Sequence, residues 1–151
     1  MRDVPSWDDY FFGLAAQVAT RSKDPRTNVG AVLVDADSRV IALGYNGFGD
    51  KVTETEERWA SDQKDKYVIH AEVNALLNAA RVGGKTKNAS LYVTLAPCPN
   101  CALNVIAAGV VAVITPLANI HARLETRPEL RDGYNLMRQL FDEAGVAYVE
   151  V

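Results

Sequence analysis

His70-Ala71-Glu72, read with Pro97-Cys98-Pro99-Asn100-Cys101 further along the chain, decides what this sequence is. Imidazole nitrogen and thiolate sulfur are ligands that zinc prefers, so His70, Cys98 and Cys101 form a set of three protein ligands. Three ligands leave one tetrahedral position for water, and water held there is acidic enough to supply hydroxide near neutral pH. Glu72 is two residues from the ligand histidine. From there a carboxylate reaches that water and moves protons without binding the metal. Cys-x-x-Cys alone is shared by redox motifs and structural zinc sites. Here, however, the chain has only two Cys and two His, and both Cys and one His fall inside the pattern. A closed structural site would need His121 or a carboxylate as fourth ligand, and would give Glu72 no task.

Around these half-sites the sequence predicts alternating helices and strands. Ser6 caps a helix running to about Thr20, with Asp8 and Asp9 at its positive end and Phe11, Leu14, Ala15, Val18 and Ala19 facing a sheet. Val29 to Val34 reads as a buried strand, Asp35 to Ser38 as a turn, and Arg39 to Gly44 as the returning strand of a hairpin. Asp50 to Lys66 is polar and reads as a long surface excursion covering the site, with Trp59 as its anchor. A helix from His70 stops near Gly83-Gly84, and Ala89 to Leu95 is the next strand. A helix from Pro99 to Ala108 presents Cys98 and Cys101 one turn apart, its N-terminus favouring thiolates. Val110 to Ile114 is a strand buried on both faces. Pro116 to Arg131 reads as irregular, with His121 as a surface or packing histidine. Tyr134 to Glu143 is a helix, and Val146 to Val151 a final strand. The expectation is one α/β domain over residues 1–151, three-layered (α/β/α), with a mixed five-stranded sheet.

Composition narrows the function. At 151 residues, 48% hydrophobic and 23% charged, the chain is the size of one globular domain. A net charge of -3 gives no general attraction to phosphate backbones, so no long nucleic acid is expected as partner. No apolar run is long enough to span a bilayer and Met1-Arg2-Asp3 opens no signal-type core, so the expectation is a cytoplasmic protein without membrane attachment. The polar loop Arg21 to Asn28 is either a solvated loop or a phosphate site, with Ser22, Lys23 and Arg26 as its donors. Gly44-Tyr45-Asn46-Gly47 permits either tight turning or close approach to a ligand.

Taken together, Arg21-Ser22-Lys23-Asp24-Pro25, Val29-Gly30-Ala31, Gly44-Tyr45-Asn46-Gly47, His70-Ala71-Glu72 with Asn74-Ala75, and Pro97-Cys98 with Cys101-Ala102 resemble the deoxycytidylate (dCMP) deaminase family of the cytidine deaminase superfamily. H-x-E followed by P-C-x-x-C is the signature of zinc nucleobase deaminases as a whole. The Gly44 to Gly47 segment and the basic loop point to the dCMP branch. The resemblance implies a cytidine deaminase-like fold and one catalytic Zn2+ on His70, Cys98 and Cys101. It implies Glu72 as proton shuttle to N3 and the leaving amine, Asn46 on the sugar, the Ala71 backbone on the base edge, and Ser22, Lys23 and Arg26 near the 5'-phosphate. It also implies a homohexamer activated by dCTP and inhibited by dTTP, the triphosphate with Mg2+ lying near Gly44, Tyr45, Asn46 and Gly47. Two departures from the family pattern stand out: Gly49 follows Phe48 where a proline is common, and the segment after Ile114 lacks the usual tyrosine near the base. Deamination of a different or modified base, and a non-catalytic zinc-containing nucleotide-binding regulator, remain the alternatives.

Overall fold

The hairpin at the start of the sheet sets the architecture. In the computed structural model, which describes residues 1–151, β1 (Gly30–Val34) pairs antiparallel with β2 (Val40–Tyr45) on one side and with β5 (Ser90–Val93) on the other. From β5 the sheet continues in parallel through β6 (Ala112–Thr115) to β7 (Ala147–Glu150), giving the order β2-β1-β5-β6-β7. The predicted mixed five-stranded sheet is therefore present. A second, two-stranded sheet pairs β3 (Gly47–Phe48) with β4 (Val68–Ile69).

Helix α1 (Trp7–Ala19) covers one face, where Phe11 and Ala15 pack against Val32, Val34, Tyr92 and Ile114. Its N-terminus is fixed as the sequence predicts, by Ser6 Oγ accepting from the Asp9 amide at 3.1 Å. Helices α3 (Ala71–Arg81), α4 (Pro99–Ala107) and α6 (Arg131–Ala144) cover the opposite face, and Met137 and Phe141 of α6 are completely buried there. Burying side chains of the size of Phe11 and Phe141 stabilises by about 1.5–3 kcal/mol each. Two glycines let helices approach the hairpin closely. A Cβ on Gly30 would run into the Ala15 carbonyl of α1, and one on Gly44 into the Ala71 carbonyl and Ala75 amide of α3. The strand that seats α3 must therefore lack a side chain at Gly44.

Two regions differ from the sequence expectation. Pro116 to Arg131 is ordered: it forms α5 (Leu117–Thr126) and a 3-10 turn over Pro128–Leu130. Ile120 and Leu124 supply the buried stripe of α5, which the adjoining His121, Arg123 and Glu125 obscure in the sequence. The excursion after Asp50 holds helix α2 (Glu56–Ala60) and a 3-10 turn over Lys64–Lys66, and the β3–β4 ladder closes its base. Trp59 anchors it as predicted, buried with its ring 4.3 Å from that of Phe48. No helix is long and apolar enough to cross a membrane.

Candidate active site

Two helix starts meet beside the end of β5. His70 leaves β4 as the N-cap of α3, and Cys98 follows Pro97 as the N-cap of α4, with Pro99 at the first helical position. One turn later Cys101 points the same way, its amide donating to Cys98 Sγ at 3.5 Å. His70 Nδ1 lies 3.7 Å from Cys98 Sγ and 3.3 Å from Cys101 Sγ, and one ligand atom from each residue falls within 4.8 Å of the others. A tetrahedral zinc with Zn–S near 2.3 Å and Zn–N near 2.0 Å holds nitrogen and sulfur roughly 3.6 Å apart. The three donors are thus spaced for zinc before any rearrangement.

Charge at the site follows from these contacts. The adjacent Cys101 thiol, with further help from His70 and the Cys101 amide, pulls the Cys98 thiol down to about 4 against the opposing effect of burial. Cys101, deeper and beside Cys98, is pushed up. Of the two, Cys98 is the one that ionises first. Its hydrogen bond to His70 raises the imidazole. Glu72, only 4% exposed in the first turn of α3, is pushed up by burial. A carboxyl in such surroundings holds a proton more readily than one in water.

His70, Ala71, Glu72 and Cys98 form one wall of a cavity of about 410 Å³. Asp24, Arg26, Thr27, Asn46 and Lys64 form a second wall, and α5 contributes Ile120, Arg123 and Leu124, with Arg127 just beyond it. Asn46 stands in this wall with most of its amide engaged. Its Oδ1 accepts from the Val29 amide at 2.8 Å, and its Nδ2 donates to the Thr27 carbonyl at 2.8 Å and to Asp24 Oδ2 at 3.2 Å. Oδ1 thus uses one of its two lone pairs.

The basic loop divides. Asp24 Oδ1 accepts from the Arg26 and Thr27 amides at 2.9 and 3.3 Å, a turn that sends Arg26 and Thr27 inward. Ser22 and Lys23 are left outside the cavity: Ser22 Oγ accepts from the Asp24 amide, and Lys23 reaches away to Glu54 at 2.8 Å. Of the Gly44 to Gly47 segment only Asn46 reaches the cavity. Gly44 is buried under α3, the Tyr45 carbonyl accepts from Asn74 Nδ2 at 2.7 Å, and the Tyr45 ring packs over Gly47. His121 is exposed and does not line the cavity.

Three basic residues of the cavity have no role in the sequence reading. Lys64 lies in the excursion, and nothing in its neighbours marks it. Arg123 and Arg127 are four apart on the same helical row, a signal visible only once Ile120 and Leu124 are read as a buried stripe. Arg123 donates to Thr27 Oγ1 at 3.1 Å and has no carboxylate within 4.0 Å, whereas Arg127 pairs with Glu129.

A mixed sheet of this order, with one imidazole and two thiols converging from two helix starts beside a buried carboxyl, defines a zinc deaminase domain of the cytidine deaminase type. Residues 5–116 match the family described as cytidine and deoxycytidylate deaminase zinc-binding region. The probable deoxycytidylate deaminase of Drosophila melanogaster is 36% identical over 153 residues, covering 94% of this chain and 70% of its own length. The deoxycytidylate deaminase of Pongo abelii is 35% identical over 152 residues, covering 97% of this chain and 80% of its own. The dCMP deaminase of cyanophage S-TIM5, crystallised with dCMP and dUMP, superposes with a TM-score of 0.75 at 24% identity, over 99% of this chain and 100% of that one. This chain belongs to the deoxycytidylate deaminase family.

Proposed function

We propose that this chain hydrolyses dCMP to dUMP and ammonia, with Glu72 carrying the protons. The observation that bears most weight is the placement of Glu72, buried in the first turn of α3 beside three zinc-spaced donors and open to the cavity. Held by His70, Cys98 and Cys101, zinc would supply a water acidic enough to attack an amine-bearing ring carbon near neutral pH. Glu72 accepts one proton of the attacking water and passes it to N3 as the oxygen bonds to C4. It then carries the second proton to the amino group, which departs as ammonia when the C4–N bond breaks. Burial raises the affinity of Glu72 for a proton and so suits it to both halves of this transfer. The free N–H groups of the first turn, Ala71 among them, face the base edge.

The basic lining of the cavity favours a phosphorylated substrate. Arg26 and Arg123 line it, with Arg127 beside them. A guanidinium pair matches the geometry and charge of a phosphate. We place the 5'-phosphate there, with Arg26 retained from the basic loop and Ser22 and Lys23 replaced by Arg123 and Arg127. Asn46 offers its free lone pair to the sugar.

Glu72→Gln is the test. It should keep zinc at one ion per chain while turnover of dCMP falls by at least about 10²–10⁴-fold. Metal lost together with activity would show that Glu72 has another role. Ammonia release from dCMP, deoxycytidine, CMP and dCTP, with the product identified, checks the substrate. The proposal extends to regulation in a homohexamer, activated by dCTP with Mg2+ and inhibited by dTTP. Family membership supports it, and Tyr45, exposed on edge strand β2, offers a surface for it. Sedimentation and activity with each triphosphate test this. A cytoplasmic location accords with two thiols that must stay reduced to bind metal.

A further inference from the structure

The excursion between β3 and β4 returns one lysine to the substrate cavity. The Lys64 ammonium lies 2.5 Å from Asp24 Oδ2, and the two side chains are only 6% and 3% exposed. Both residues line the cavity. Its other acidic neighbour, Asp65, is 3.9 Å away and 81% exposed, so screening by water leaves it little influence.

A buried ion pair survives only where further hydrogen bonds satisfy the remaining lone pairs. Asp24 has them. The Arg26 and Thr27 amides bond to Oδ1, and Asn46 Nδ2 shares Oδ2 with the lysine. Burial would raise the Asp24 carboxyl, but the bond from Lys64 and these amides hold it below its usual range. The Thr27 hydroxyl in turn receives Arg123, and the Thr27 carbonyl receives Asn46. A connected set of bonds therefore runs from Lys64 through Asp24 to Arg26, Asn46 and Arg123 on the nucleotide side of the cavity. The excursion is held at its other points by Trp59 against Phe48 and by the exposed Lys23–Glu54 pair.

We propose that Lys64 is a positioning residue: by neutralising Asp24 inside the cavity wall, it holds residues 22–28 and Asn46 in the shape that receives the nucleotide. Without the ammonium, Asp24 is a buried anion in the cavity that takes up the substrate phosphate. It must then bind a proton or turn towards water, and either change loosens the amides of Arg26 and Thr27. What this means for the nucleotide rests on the dCMP reading above; what it means for the loop does not.

The test compares zinc-loaded wild type with Lys64→Met, Lys64→Arg, Asp24→Asn and the Met/Asn double variant. Lys64→Gln replaces the Met variant where the latter does not fold. Hydrogen exchange of the Arg26 and Thr27 amides should speed up by about tenfold or more in Lys64→Met, while exchange in α3 and α4 and the zinc content stay as in wild type. The KM for dCMP should rise about 10- to 100-fold with kcat held within about threefold. The double variant should be no worse than Lys64→Met, because the pair is already broken, and Lys64→Arg should recover part of the loss. Unchanged exchange at Arg26 and Thr27 overturns the proposal. So do fully additive losses in the double variant, which would mean that Lys64 contacts substrate directly. A wild type that turns over no dCMP sinks the dCMP reading, and the exchange comparison then still decides the role of Lys64.

Discussion

Arg123 carries its charge into a cavity with only a threonine hydroxyl to receive it. Burial and the neighbouring Arg127 lower its pKa more than the carboxylates of Asp24 and Glu129 raise it, so the guanidinium is not fully matched by negative charge. A phosphate would supply that charge. Arg123→Ala should therefore lower kcat/KM for dCMP about 10- to 100-fold, the worth of one charge-assisted hydrogen bond, and leave slow turnover of deoxycytidine unchanged. Equal losses on both substrates would make Arg123 a wall residue only. The convergence of His70, Cys98, Cys101 and Glu72 could be anticipated from the sequence because the geometry is local: each half-site spans one helix start, and residue type and spacing suffice. Arg123 and Lys64 could not, since each reaches the cavity through tertiary contacts that leave no short-range pattern. Ser22, Lys23 and Arg26 show the limit from the other side. All three have phosphate-binding chemistry, but the turn made by Asp24 decides which of them faces inward.

Among the elements, α3 matters most, because it carries Glu72 and starts at His70. Gly44 allows it to sit on β2, and Asn74 and Asn78 of α3 donate to the Tyr45 and Leu43 carbonyls of that strand at 2.7 and 2.8 Å. Gly44→Ala should destabilise the fold by about 1–3 kcal/mol, since the new methyl meets backbone that cannot swing aside. Denaturant unfolding measures this directly, and a loss below a few tenths of a kcal/mol would show that α3 can shift. The sequence reads the glycine motif as a tight turn or a close approach to a ligand, and at Gly44 the structure shows a close approach of helix α3. On the other face, Tyr92 donates to Asp8 of α1 at 2.7 Å, and burial, then this bond, pushes its phenol up to about 12. The folded pKa is above the unfolded value near 10, so the stability from this bond is complete below pH 10 and lost as pH rises towards 12. Melting temperatures across that interval should fall less steeply in Tyr92→Phe than in wild type. Helix α5 was missed because its buried stripe is only two residues wide and lies among charged positions.

Taken whole, the molecule brings three metal-spaced donors together from two separate helix starts, so a metal held there would link α3 to α4. A ligand that binds only the folded state adds stability according to its concentration over Kd, about 2.7 kcal/mol at a hundredfold excess. For a chain of this length that corresponds to roughly 5–10 °C in melting temperature. Calorimetry with excess zinc against excess chelator should show a shift of this size that is absent in Cys101→Ser. No shift in wild type would mean that the three donors do not hold metal. The sheet could be anticipated at this scale because alternating strands and helices, with one hairpin at the start, allow few strand orders. The β3–β4 ladder could not, since two-residue strands carry no periodicity.

The two indoles of this chain occupy opposite surroundings: Trp7 is 60% exposed, whereas Trp59 is 8% exposed with its Nε1 unpartnered against Phe48. Nature has in effect placed an optical label on the excursion that carries Lys64. In a Trp7→Phe background a single blue-shifted emitter should remain, shielded from iodide, and its colour would report whether Trp59 stays packed on Phe48 when a nucleotide is added.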